Sequence, residues 1–195
     1  DFTVGRLGIP WKNYTRNYDE RWSREPATYG YYSCKKFVVA MGSPNMVEGW
    51  PWGASSLNFQ VIRYADVLLW KAEALIELGR QDEALPLINQ IRNRAKQSKY
   101  VKKLNSTANA ANYVVDEYKP GVNCTWTKDF AQKALRFERK LEFAMEGERF
   151  FDLVRWGVAA ETINEYFANE KLVRTYIKDE TLFTAGKDEY FPIPQ

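Results

Sequence analysis

The chain has 195 residues, 45% apolar and 27% charged, enough to bury a core and too apolar for a disordered tail. Its 28 Lys and Arg against 25 Asp and Glu leave a formal net charge of +3, which names neither nucleic acid nor an anionic membrane as partner. Histidine is absent, so imidazole triads and imidazole metal sites are excluded, and Cys34 and Cys124 lack the CxxC spacing of a zinc or redox pair.

Residues 1–58 form a loop-rich aromatic segment. They carry Trp11, Trp22, Trp50 and Trp52, four of the chain's 7 tryptophans, among glycines and prolines too closely spaced for a helix. Only short strands fit there, with Lys35 to Met41 as the candidate. From Phe59 the pattern changes. Val61, Ala65, Leu68, Ala72 and Leu75 recur at steps of four and three, with Ile62, Leu69 and Ile76 widening the same face, which predicts a helix that Gly79 stops. Ala84, Leu87, Ile88, Ile91 and Ala95 predict a second helix with Asp82 as N-cap and Pro86 near its start. Residues 59–99 thus read as an antiparallel helix pair.

Residues 100–127 lose the periodicity and read as a long loop or insertion. In 128–195, Phe130, Ala134, Phe137, Leu141 and Ala144 predict a helix to about Glu146. Two shorter helices follow around Phe150 to Val154 and Ile163 to Phe167, then an extended tail at Tyr190 to Pro194. No apolar stretch reaches the roughly 20 residues that a bilayer-crossing helix needs. The spacing of Ala72, Leu75, Gly79 and Ala84 resembles one tetratricopeptide unit: small residues where two helices touch, and a glycine in the turn. The expected fold class is mainly α, with tetratricopeptide-like helical repeats, a long aromatic, loop-rich segment and few short strands.

The carboxylates Glu138, Glu142, Glu146, Glu148 and Asp152 admit a glycosidase reading, because glycoside hydrolysis uses two carboxylates across a sugar. Arginines interleaved at helical distances favour ion pairing instead, and Arg139, Glu142, Glu146, Arg149 and Asp152 are read as an architectural cluster. Lys96, Lys99, Lys102 and Lys103 read as a solvated helix end, with only Tyr100 beside them to stack on a base. Cys34 and Cys124 either bridge or stay free. The strand beside Cys34 favours a free thiol.

Aromatic loops suit ligands with a C–H face, because a pyranose can lie on a ring while its hydroxyls seek hydrogen bonds. Trp50 and Trp52 lead the ligand-binding candidates, since Gly49, Pro51 and Gly53 hold them on a tight loop, followed by Trp11 and Trp22. Helices, by contrast, are expected to use their rings for packing.

Three stretches resemble one family. Arg63-Tyr64-Ala65-Asp66-Val67-Leu68-Leu69-Trp70-Lys71-Ala72-Glu73-Ala74 with Glu77-Leu78-Gly79 is similar to the helix pair of the SusD/RagB family of outer-membrane nutrient-binding lipoproteins. Glu138 to Gly157 resembles its second signature, and Phe191-Pro192-Ile193-Pro194-Gln195 its closing one. The opening Thr3 to Pro10 also resembles a segment seen in some members. The resemblance implies the C-terminal part of a longer, surface-exposed lipoprotein whose lipid anchor lies outside this chain. It also implies a non-catalytic receptor that captures glycan, in some members peptide, over a SusC-type TonB-dependent transporter. Composition and charge, for their part, lead to the expectation of no cofactor, metal or nucleic acid. The competing expectations are a helical scaffold that only contacts protein, and the glycosidase above.

Overall fold

A computed structural model describes residues 36, 39, 43–47, 55–103, 106–174 and 176–191. Among them are five helices: α1 (Tyr64–Glu77), α2 (Gln81–Gln97), α3 (Lys128–Glu142), α4 (Glu148–Arg155) and α5 (Ala159–Glu170). Pairing between extended segments is confined there to isolated bridges such as Lys102 with Asn109. The fold class is therefore mainly α. The chain divides into two compact units, Asp1–Glu142 and Phe143–Gln195. Trp11, Trp22, Trp50, Trp52 and Cys34 lie outside the described residues, as does most of the candidate strand Lys35 to Met41.

In the first unit, α1 and α2 pack as a tetratricopeptide-like hairpin, with α3 against both. The turn works because Gly79 takes φ +75°, a conformation costly to residues with a Cβ. There the Gly79 and Arg80 amides donate back to the carbonyls of Ile76 and Leu75, at 3.0 and 2.8 Å, closing the end of α1. Leu68, Leu69, Ala72, Leu75 and Ile76 meet Ala84, Ile88 and Ile91 in the core. At about 1.5–3 kcal/mol for each large side chain withdrawn from water, this seam is the main drive for the hairpin.

Three details differ from the sequence expectation. Val61 and Ile62 precede α1 and are exposed, because the helix starts where the Asp66 carboxylate accepts the Arg63 amide at 3.1 Å. Asp82 lies inside the first turn of α2, and Arg80 takes the N-cap position. On α3 the buried stripe is Ala131, Ala134, Leu135, Glu138 and Arg139, whereas Phe137 and Leu141 are each 51% exposed. The helix also ends at Glu142 instead of running on to Glu146, and Met145 and Gly147 take φ of 66° and 91°.

The second unit is built on α4 and α5. Leu153, Ala159 and Phe183 are buried, with Phe150, Val154, Val158, Ile163 and Phe167 packed round them. Gly157, at φ +68°, repeats the Gly79 turn. The Gly157 and Val158 amides donate to Val154 and Leu153 at 3.0 Å each, and Val158 then joins the core beside Leu153.

Candidate functional site

The predicted charge cluster falls in both units, and its members are best followed through their partners. Glu142 closes α3, where the final carbonyls of a helix lack intrahelical donors. Its carbonyl accepts from Arg63 Nη2 and from Lys36 Nζ, both at 3.1 Å. Its carboxylate takes Arg63 Nη1 on Oε1 at 2.7 Å and the Arg94 guanidinium on Oε2. Arg63 stands at the start of α1 and Arg94 near the end of α2, so one residue ties three helices.

Two further charge contacts lie between the helices. Glu138 Oε2 accepts from Arg92 Nη1 at 2.8 Å, with both side chains largely buried. Burial raises the Glu138 carboxyl above the ordinary range, and the Arg92 bond only partly opposes this. Arg139, 2% exposed, faces Asp66 with Nη1 3.8 Å from Oδ1, on the carboxylate that caps α1. A sequence argument that reserves core positions for apolar residues misses this stripe, which explains the misassigned face of α3.

In the second unit, Asp152 is buried and Oδ1 accepts from Arg155 Nε and Nη2 at 3.0 and 2.9 Å. Arg149 and Arg155 lie near the Trp156 ring, their guanidinium carbons 5.7 and 4.9 Å from its centroid. Glu146 sits half-buried in the turn before α4, its amide donating to the Phe143 carbonyl at 3.1 Å. Asp152, Glu138 and Glu142 thus each accept from at least one arginine, within α4 for Asp152 and between helices for Glu138 and Glu142. Among the described residues no group of His, Cys, Asp and Glu is arranged to hold a metal ion.

The long loop contains structure that the sequence reading missed. Asn89 Nδ2 donates to the Tyr118 carbonyl at 2.9 Å while Oδ1 accepts the Tyr118 amide at 2.8 Å. One turn on, Arg92 Nε donates to the Asp116 carbonyl at 2.6 Å, and Lys96 Nζ reaches Asp116 Oδ1 at 2.8 Å. These partners recur at steps of three and four on α2, a polar stripe visible in the sequence but indistinguishable there from a solvated face. Lys96 and then Lys119 hold the Asp116 carboxyl far below its ordinary range, so part of the lysine cluster is engaged. Tyr118 stacks into a ring group with Trp126 and Phe130, centroids 5.7 to 5.8 Å apart, and the Arg92 guanidinium lies 4.3 Å above the Tyr118 ring.

Rings on the helices also depart from expectation. Tyr64 and Trp70 of α1 are exposed along with Phe137 of α3, so helical aromatics here are not reserved for packing. Cys124 is a free, half-buried thiol.

These features define a tetratricopeptide-like helical hairpin braced by buried arginine–carboxylate contacts. The sequence model of the SusD family matches residues 3–195, and the chain belongs to that family. It is 38% identical over 106 residues to SusD-like protein P38 of Formosa agariphila, covering 54% of this chain and 18% of that protein. It is 30% identical over 141 residues to SusD-like protein P2 of the same organism, covering 72% of this chain and 23% of that protein. The chain matches less than a quarter of the length of either relative.

Proposed function

We propose that this chain belongs to a non-catalytic binding protein of the cell surface, which captures a glycan, or a peptide, for import through a SusC-type TonB-dependent transporter. The observation that carries the proposal is the family match over residues 3–195. The charge network agrees with it: Glu138 and Glu142, the carboxylates a glycosidase reading would use, are engaged by Arg92, Arg63 and Arg94 between helices. In this reading the first segment presents the ligand, led by Trp50 and Trp52 and followed by Trp11 and Trp22, and the helices form the platform that carries it. No helix among the described residues is long and apolar enough to cross a bilayer.

Titrating the intact protein's tryptophan fluorescence with a panel of glycans and peptides tests this. A saturable change for one ligand class, with no product released, is the expected result. Sustained turnover, abolished by Glu142→Gln in a folded protein, would overturn it.

A further inference from the structure

The contacts between α2 and residues 113–123 have the form of receptor and ligand. Asn89 bonds both backbone groups of Tyr118, and Arg92 bonds the backbone carbonyl of Asp116, so α2 reads the main chain of an extended segment with side chains, as a sheet edge does with its backbone. Side-chain selectivity is added at two points. Lys96 takes the Asp116 carboxylate at 2.8 Å, and Trp126 with Phe130 receives the Tyr118 ring under the Arg92 guanidinium. The segment's own bonds are local: Asn123 accepts the Lys119 amide at 2.7 Å and donates to the Glu117 carbonyl at 2.9 Å, the Val122 and Asn123 amides donate to the Lys119 carbonyl at 3.0 and 3.1 Å, the Glu117 amide donates to Asp116 Oδ1 at 2.8 Å, and Lys119 Nζ reaches Asp116 Oδ2 at 3.1 Å. No helix or ladder of its own holds residues 113–119 in place.

From this geometry we infer that the Asn89, Arg92, Lys96 face of α2, with Trp126 and Phe130, is a docking site for extended peptides carrying an acidic residue two positions before an aromatic one. Residues 113–123 are its resident occupant. The Asn89 amide is indifferent to the side chain of the residue it clamps, so it supplies affinity for any extended backbone. Lys96 and the ring pocket supply the choice. A tethered occupant competes at an effective concentration on the order of millimolar, so the site accepts a second peptide readily only when the resident segment is weakened.

The probe is a labelled synthetic peptide with the sequence of residues 113–123, read by fluorescence anisotropy against the full chain and against two opened variants. Tyr118→Ala removes the anchoring ring, and Asp116→Ala removes only the carboxylate shared by Lys96 and Lys119. The peptide should bind each opened variant at least about tenfold more tightly than the unmodified chain. It should lose that binding when Asn89→Ala is added, and a scrambled peptide should not bind. Equal binding of the scrambled peptide would overturn the proposal, as would no binding to opened variants whose helical circular dichroism is intact. Loss of the helical signal in both opened variants would also overturn it, since the segment would then be an inseparable part of the fold and not an occupant.

Discussion

Each unit fastens an extended segment to a helix with the same device and surrounds it differently. Asn89 of α2 clamps the amide and carbonyl of Tyr118, and Asn164 of α5 clamps the same two groups of Phe183, at 2.8 and 3.0 Å. Around Tyr118 stand Arg92, Glu138, Asp116 and Lys96; around Phe183 stand Leu153, Ala159 and Phe150. A side-chain amide can therefore stand in for a missing strand in either setting, because it offers one donor and one acceptor in the geometry of a peptide group. The surroundings decide what else the junction responds to. The first is tied to ionisable groups on α2, on α3 and in the segment itself, the second to apolar burial.

The largest expected effect comes from breaking the charged brace. Arg139→Ala removes a buried guanidinium facing Asp66 and should lower the unfolding free energy by about 3–5 kcal/mol in urea titration. Phe183→Ala, its apolar counterpart, should cost about 3 kcal/mol through the cavity it leaves, a loss confined to amides of the second unit in hydrogen exchange. A loss under 1 kcal/mol for Arg139→Ala would mean that the brace is ornamental.

A smaller effect separates the clamps themselves. Asn89→Ala and Asn164→Ala each strand two backbone groups and should cost about 1–3 kcal/mol, visible as faster exchange of the Tyr118 amide in one variant and the Phe183 amide in the other. Arg92→Ala should speed exchange at Tyr118 and leave Phe183 unchanged; equal acceleration at both would erase the distinction between the two settings.

The smallest effect is a pH dependence that belongs to the first unit. Burial raises the folded-state carboxyl of Glu138, so around that range the folded chain holds a proton that the unfolded chain releases. This contribution is present below the ordinary carboxylate range and is lost as pH rises through the raised folded value. Glu138→Gln should flatten that fall in stability, measured by urea midpoints across the interval, whereas Asn164→Ala should leave its slope unchanged.

The hairpin of α1 and α2 was legible because its information is local: apolar steps of three and four, and a glycine where the turn needs positive φ. The face of α3 was not, because Glu138 and Arg139 are buried by partners on α2 and α1 that are distant in sequence, while Phe137 and Leu141 carry the apolar signal on an exposed side. Residues 113–119 gave no signal of order, since the backbone groups of Asp116 and Tyr118 that are bonded by side chains of α2 carry no periodicity of their own. Of the named site residues, Glu142 and Asp152 have arginine partners, and the ligand candidates Trp11, Trp22, Trp50 and Trp52 rest on loop chemistry and family membership alone.

The proposed division of labour between a charged scaffold and a ring-bearing ligand segment is tested most directly by one paired titration. The glycan or peptide that most strongly changes the protein's tryptophan fluorescence is titrated calorimetrically into the intact protein carrying either Trp50→Ala or Glu142→Gln. Trp50→Ala should weaken binding by about 1–3 kcal/mol, taking ring stacking on nucleotide bases as the guide, with the urea midpoint unchanged. Glu142→Gln should lower the midpoint and keep the affinity. The reverse pattern, affinity lost with Glu142→Gln at full stability and retained with Trp50→Ala, would contradict the account.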